Sequence, residues 1–167
     1  MDEIYRSDTI VVRRVPCEDQ SRWVVTFDNH SIGAGFERPG FGEEFLRGEG
    51  ISAIHVLGRG NDWYNYPDTE EATTLVRRAI GGSRRRLAYG SSMGGYAAIR
   101  LARAIRVDRV LALSPQYSID PAVVPWEKRW EQDSHRIAFE PFVNRPIEMI
   151  RPPIIVYDPI GDDRRHV

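Results

Sequence analysis

One cysteine, one lysine and no long apolar run mark this chain by what it lacks. The single cysteine, Cys17, excludes an internal disulfide and a cysteine-rich zinc site. No apolar run approaches the ~18 residues that a membrane span needs. The opening residues Met1-Asp2-Glu3 are acidic and polar, unlike the basic start of a secretory signal. The expectation is a reduced, cytoplasmic domain. Net charge is -1, from 23 basic and 24 acidic residues, which argues against a general nucleic-acid coat. Lys128 is the sole lysine, so arginine carries nearly all the positive charge. The clusters Arg77-Arg78, Arg84 to Arg86 and Arg164-Arg165 read as solvated charged faces. What remains is 167 residues, 41% hydrophobic and 28% charged, the size and balance of one globular domain.

The chain alternates between two periods. Thr9 to Val15, Trp23 to Phe27, Ile51 to Leu57, Arg86 to Tyr89, Arg109 to Leu113 and Ile154 to Tyr157 are β-branched or apolar runs and predict strands. Short helices are expected near Glu43 to Arg47 and from Asp68 or Thr69, as cap, to Ile80. Met93 to Ile105 places Ala97, Leu101, Ala102 and Ile105 on one helical face. Strand–helix alternation with apolar strands predicts an α/β fold, a mostly parallel sheet with flanking helices. Residues 115–147 have no clean period. They hold Trp126, Trp130, Phe139 and Phe142 among prolines, as in an inserted cap or lid.

The segment Leu87-Ala88-Tyr89-Gly90-Ser91-Ser92-Met93-Gly94-Gly95-Tyr96 carries the chemistry. Gly90-x-Ser92-x-Gly94 falls between an expected strand and an expected helix, the context of a nucleophile elbow. Such a turn strains the serine backbone and lifts its Oγ clear of the sheet. The positions two before and two after it must be small. The helix that follows aims its amide end at the site, with Met93 N–H as first oxyanion donor. A phosphate-binding turn is the competing use of this geometry. Neither a Walker Gly-Lys-Ser/Thr nor a Rossmann G-x-G-x-x-G is found here.

The run Tyr89 to Ala98 resembles the elbow of the α/β-hydrolase superfamily. It is similar in particular to hydrolase-like proteins of bacterial surface-polysaccharide gene sets. The resemblance extends from about Trp23 to Val167. It implies a second oxyanion donor after the strand Trp23 to Phe27, in the Asn29-His30-Ser31 region. It also implies an acid after the strand at Ile154, where Asp162 fits best and Asp158, Asp163 and Asp120 are alternatives. The implied function is a serine esterase working through an acyl-enzyme, with Ser92 as nucleophile, or an acyltransferase to a sugar hydroxyl. The implied partner is a small-molecule or saccharide ester. No cofactor, metal, nucleic acid or membrane is expected.

The resemblance breaks at the base. In that superfamily the catalytic histidine follows a further strand, and the chain stops ten residues after Tyr157. The histidines are His30, His55, His135 and His166. His55 reads as a core or edge residue and His135 as a surface residue. Three readings stand. The chain is a fragment of a longer hydrolase, His166 substitutes as base, or the chain is an inactive relative. The inactive reading makes it an interaction module, using the aromatic cap with Trp63, Tyr64 and Tyr66 as a binding surface. A sheet ending at Ile154 leaves an open edge.

Overall fold

The computed structural model describes residues 1–33, 35–149 and 151–167. Seven strands form one sheet: β1 Asp2–Arg6, β2 Ile10–Val15, β3 Arg22–Phe27, β4 Ser52–Gly58, β5 Arg85–Ser91, β6 Arg109–Leu113 and β7 Ile154–Val156. The helices are α1 Glu43–Gly48, α2 Thr69–Ala79, α3 Met93–Ile105, α4 Glu131–Arg136 and α5 Pro141–Asn144, and a 3-10 turn spans Asp162–Arg165. The strand order is β1-β2-β4-β3-β5-β6-β7. The five strands from β4 to β7 run parallel, whereas β1–β2 and β2–β4 pair antiparallel. The sheet is mostly parallel, as expected, with an antiparallel flank that strand composition alone did not reveal.

β1 is polar and was not expected as a strand. It exists because β2 offers it an antiparallel edge. Asp68 stands at the N-cap of α2 without capping it through its side chain. Its carboxylate instead accepts hydrogen bonds from Ser7 Oγ and Thr9 Oγ1, each 2.5 Å, and from Tyr5 Oη at 2.9 Å. One carboxylate thereby ties the β1–β2 hairpin to α2.

The main core lies between the sheet and α2 and α3. Val12, Val25, Ile54 and Val110 meet Val76, Leu101 and Ile105 there. Trp63, Tyr64 and Tyr66 are buried in the same core, at 0%, 1% and 3% exposure. They are therefore not the binding surface that the interaction-module reading required. Their apolar area is worth more inside than in water. Trp130, Phe139 and Phe142 pack against the same core from the 115–147 segment. The opposite face is thinly covered, with Leu46 of α1 on Val24 and Ala53. Among the described residues, no helix is long and apolar enough to cross a membrane.

Candidate active site

Ser92 sits where β5 turns into α3, at φ 51° and ψ -119°. An L-residue reaches that region only when its surroundings hold it there, at a cost of about 1–3 kcal/mol. The surroundings are explicit. Ser92 N–H donates to Leu113 O at 2.8 Å. A Cβ on Gly90 would lie 2.3 Å from the backbone of Gly94. A Cβ on Gly94 would lie 2.4 Å from Phe27 O and 2.9 Å from Asp28 O. Both flanking positions thus admit only glycine, and the end of β3 is pressed against the first turn of α3. Ser92 Oγ donates to Gln116 Oε1 at 3.3 Å. No side chain caps α3, and its first amides lack intrahelical acceptors, Met93 N–H among them.

The loop after β3 is held from below. Asp28 is buried and receives both Arg38 guanidinium arms, at 3.0 and 2.8 Å, and Gly58 N–H at 2.9 Å. Burial pushes the Asp28 carboxyl up, against the pull of Arg38. Asn29 turns its side-chain amide onto His30 O at 3.1 Å, so that group is spent within the loop. Among the described residues, the backbone amides of Asn29 and His30 have no backbone acceptor. His30 lies half-buried between Trp63 and Trp130, with ring centroids 5.3 and 4.6 Å away. Its Nε2 is 3.0 Å from Asp133 Oδ2, and its Nδ1 is 2.8 Å from Ser31 Oγ. Arg136 bonds Asp133 at 2.9 Å and also pairs with Asp62.

The other histidines are placed differently. His166 is buried near the end of the chain, with its ring 4.6 Å from that of Trp126. Its Nε2 is 2.8 Å from Glu127 Oε2, and its Nδ1 accepts Tyr117 N–H at 3.1 Å. Both ring nitrogens are engaged, and neither bond is to Ser92. Tyr117 follows Gln116, the partner of Ser92, so the two arrangements meet at adjacent residues. Asp162 is exposed in the terminal 3-10 turn and is not hydrogen-bonded to a histidine among the described residues. Its neighbour Asp163 pairs with Arg129 at 2.9 Å. Asp158 and Asp120 accept the amides of Ile160 and Ala122 in local turns. His55 is buried in β4 beside Thr26 Oγ1, 2.6 Å away, and burial pulls its pKa down to about 4. His135 is exposed.

The profile of the alpha/beta hydrolase family matches residues 15–165. The chain belongs to that family. No curated protein matches it. The capsule O-acetyltransferase of Neisseria meningitidis serogroup A is similar in structure, with TM-score 0.54, 12% identity and 78% of this chain covered. Thermogutta terrifontis esterase 2, phosphonylated by sarin, superposes at TM-score 0.51 with 17% identity over 87% of this chain. The Xanthomonas campestris protein XC6422, a serine hydrolase without a lid, gives 0.50, 14% and 92%. The matches cover 58% of the acetyltransferase chain and 66% of each of the other two. These likenesses establish the fold.

Three partners escaped the sequence reading: Gln116, Glu127 and Asp133. Glu127 and His166 are 39 positions apart, and His30 and Asp133 are 103 apart. No local spacing links such pairs. The one local signal is the position of Asp133 in the aromatic segment, two residues before His135.

Proposed function

We propose that this hydrolase-family chain transfers acyl groups through Ser92, to water as an esterase or to a sugar hydroxyl as an acyltransferase. The observation that carries the reading is the backbone of Ser92, strained between two glycines that tolerate no Cβ. Strain of this kind is kept where a reactive group must be presented. The esterase and acetyltransferase likenesses agree with an ester as substrate.

In the proposed cycle Ser92 Oγ attacks the ester carbonyl and gives up its proton to a histidine. The carbonyl oxygen becomes an oxyanion and takes N–H bonds from Met93 and from the Asn29–His30 loop. Collapse breaks the ester C–O bond, and the leaving alcohol recovers the proton from the imidazolium. Water or a sugar hydroxyl then attacks the acyl-serine, again losing its proton to the histidine. Ser92 leaves with that proton and is restored.

His30 fits the base best. An ionised Asp133 can only accept, so Nε2–H donates to it and Nδ1 holds the free lone pair. The Ser31 hydroxyl occupies that lone pair at 2.8 Å, where a reacting hydroxyl would sit. The contact of Gly94 with Phe27 and Asp28 sets the end of β3, which leads into the His30 loop, against the first turn of α3. His166 is the second reading, with Glu127 on its Nε2 in the place expected of Asp162. Its proximity to Gln116 favours it, but its Nδ1 would have to release Tyr117 N–H.

A fluorophosphonate probe separates these. Labelling of the wild-type chain that vanishes in Ser92→Ala is the expected result. His30→Gln and Asp133→Asn should slow labelling by about 10²–10⁴-fold, while His166→Gln stays near wild type. The reverse pattern would move the base to His166. No labelling of folded wild-type protein would overturn the Ser92 reading.

A further inference from the structure

We propose that a pocket at the amino-terminal ends of β5 and β6 binds a multiply charged oligophosphate, free or as part of a nucleotide. The inference does not rest on Ser92. β5 ends at Ser91 and begins at Arg85, so its seven residues separate the two places by about 20 Å.

The pocket encloses about 580 Å³, within the range of small-molecule sites. Seven arginines and three carboxylates line it, an excess of four positive charges in a chain whose net charge is -1. They arrive from separate elements: α2, β5, the end of α3, β6 and the stretch after α5. Two are matched locally. Arg86 pairs with Asp108 at 2.9 Å, and Arg103 with Glu148 at 2.8 Å. Burial alone would raise the Asp108 carboxyl. Hydrogen bonds from Arg86, with the nearby charge of Arg151, hold it below the usual range instead. Arg77, Arg106, Arg109 and Arg145 have no carboxylate within ion-pair distance among the described residues. Outside the pocket some guanidiniums close on acids, as Arg38 does on Asp28 and Arg129 on Glu127, and others, such as Arg59 and Arg84, pair with none among the described residues; what distinguishes the pocket is that its unpaired guanidiniums share one concavity.

Charges of one sign gathered at one concavity repel each other and destabilise the fold unless an anion answers them. Guanidinium forks match the oxygens of phosphate in pairs. A single carboxylate would leave most of this excess unanswered, whereas a chain of two or three phosphates spans it. The floor also carries a flat apolar element. Arg145 lies over the Phe142 ring at 4.5 Å, and Met149 and Val107 line the wall. A base attached to the phosphates would meet the apolar side chains of Val107 and Met149 there.

Calorimetric titration of the full chain with pyrophosphate and with ATP tests the proposal. Binding should weaken at least tenfold in an Arg77→Gln/Arg109→Gln double variant and should fall with added salt. Ser92→Ala should bind like wild type, which keeps this site apart from the acyl-transfer reading. Arg109→Glu alone, at the exposed start of β6, serves if the double variant unfolds. Pyrophosphate binding equal to ATP points to a free oligophosphate, and tighter ATP binding to a nucleotide; either supports the site. No binding at millimolar pyrophosphate overturns it. So does binding that the arginine variants leave unchanged, or that an Arg78→Gln/Arg164→Gln control weakens equally. Retention on a long polyanion that is the same in wild type and double variant, without pyrophosphate binding, would mean surface charge only.

Discussion

At the scale of single residues, Gly94 has almost no room to change. Its Cα faces the Phe27 and Asp28 carbonyls, and backbone cannot step aside as a flexible side chain can. Gly94→Ala should therefore cost about 3 kcal/mol, the upper part of the usual range for overpacking. It should also slow probe labelling at Ser92, because β3 and α3 must separate to admit the methyl. Chemical denaturation and labelling kinetics check both. An alanine variant as stable as wild type would mean that the strand end moves freely. This position was legible from sequence because its reason is local: a strand-to-helix turn needs small residues on either side of its serine. The histidine pairings were not. His30–Asp133 and His166–Glu127 join residues brought together only after the sheet has formed, and nothing in the intervening residues marks them.

At the scale of elements, the parallel strands and α3 followed from composition and period. The end of the chain did not. Asp162 and His166 read as a candidate acid and base, yet Asp162 is exposed whereas His166 is buried and bonded to Glu127. Glu127 is the hub. It receives Arg129 at 2.7 Å and His166 at 2.8 Å, and Arg129 reaches on to Asp163 at 2.9 Å. Burial alone would raise the Glu127 carboxyl. The Arg129 and His166 hydrogen bonds outweigh it and bring its pKa to about 2 from the ordinary 4.5. A pKa depressed on folding means that the unfolded chain binds the proton first. The stabilisation is thus complete above pH 4.5 and drains away as pH falls through that value toward 2. Glu127→Gln should flatten the acid limb of the melting temperature in this window and lower stability at neutral pH. It should also make the terminal turn more open to proteolysis. Melting curves of wild type and variant that fall in parallel below pH 4.5 would remove Glu127 from this role.

At the scale of the molecule, the two edges of the sheet differ. β1 guards one edge with Asp2, Glu3 and Arg6. Charges there discourage another strand from adding. β7 guards the other with Ile154 and Val156, 53% and 55% exposed. The register pairs Leu111 with Tyr89 and Ile154, and Leu113 with Val156, so these side chains continue one face. On that face Leu111 and Leu113 are half-buried, whereas Val110 and Ala112 on the other, where α3 packs on β6, are fully buried. Parallel strands are ordinarily covered on both faces. An uncovered apolar face beside an unpaired edge favours association. The chain should therefore gain mass with concentration in size-exclusion light scattering. Ile154→Lys/Val156→Lys should reduce that gain while changing stability by only about 0.5 kcal/mol, as exposed substitutions do. Monomeric wild type at every concentration would show that the short, three-residue β7 presents too little edge for another chain to pair with.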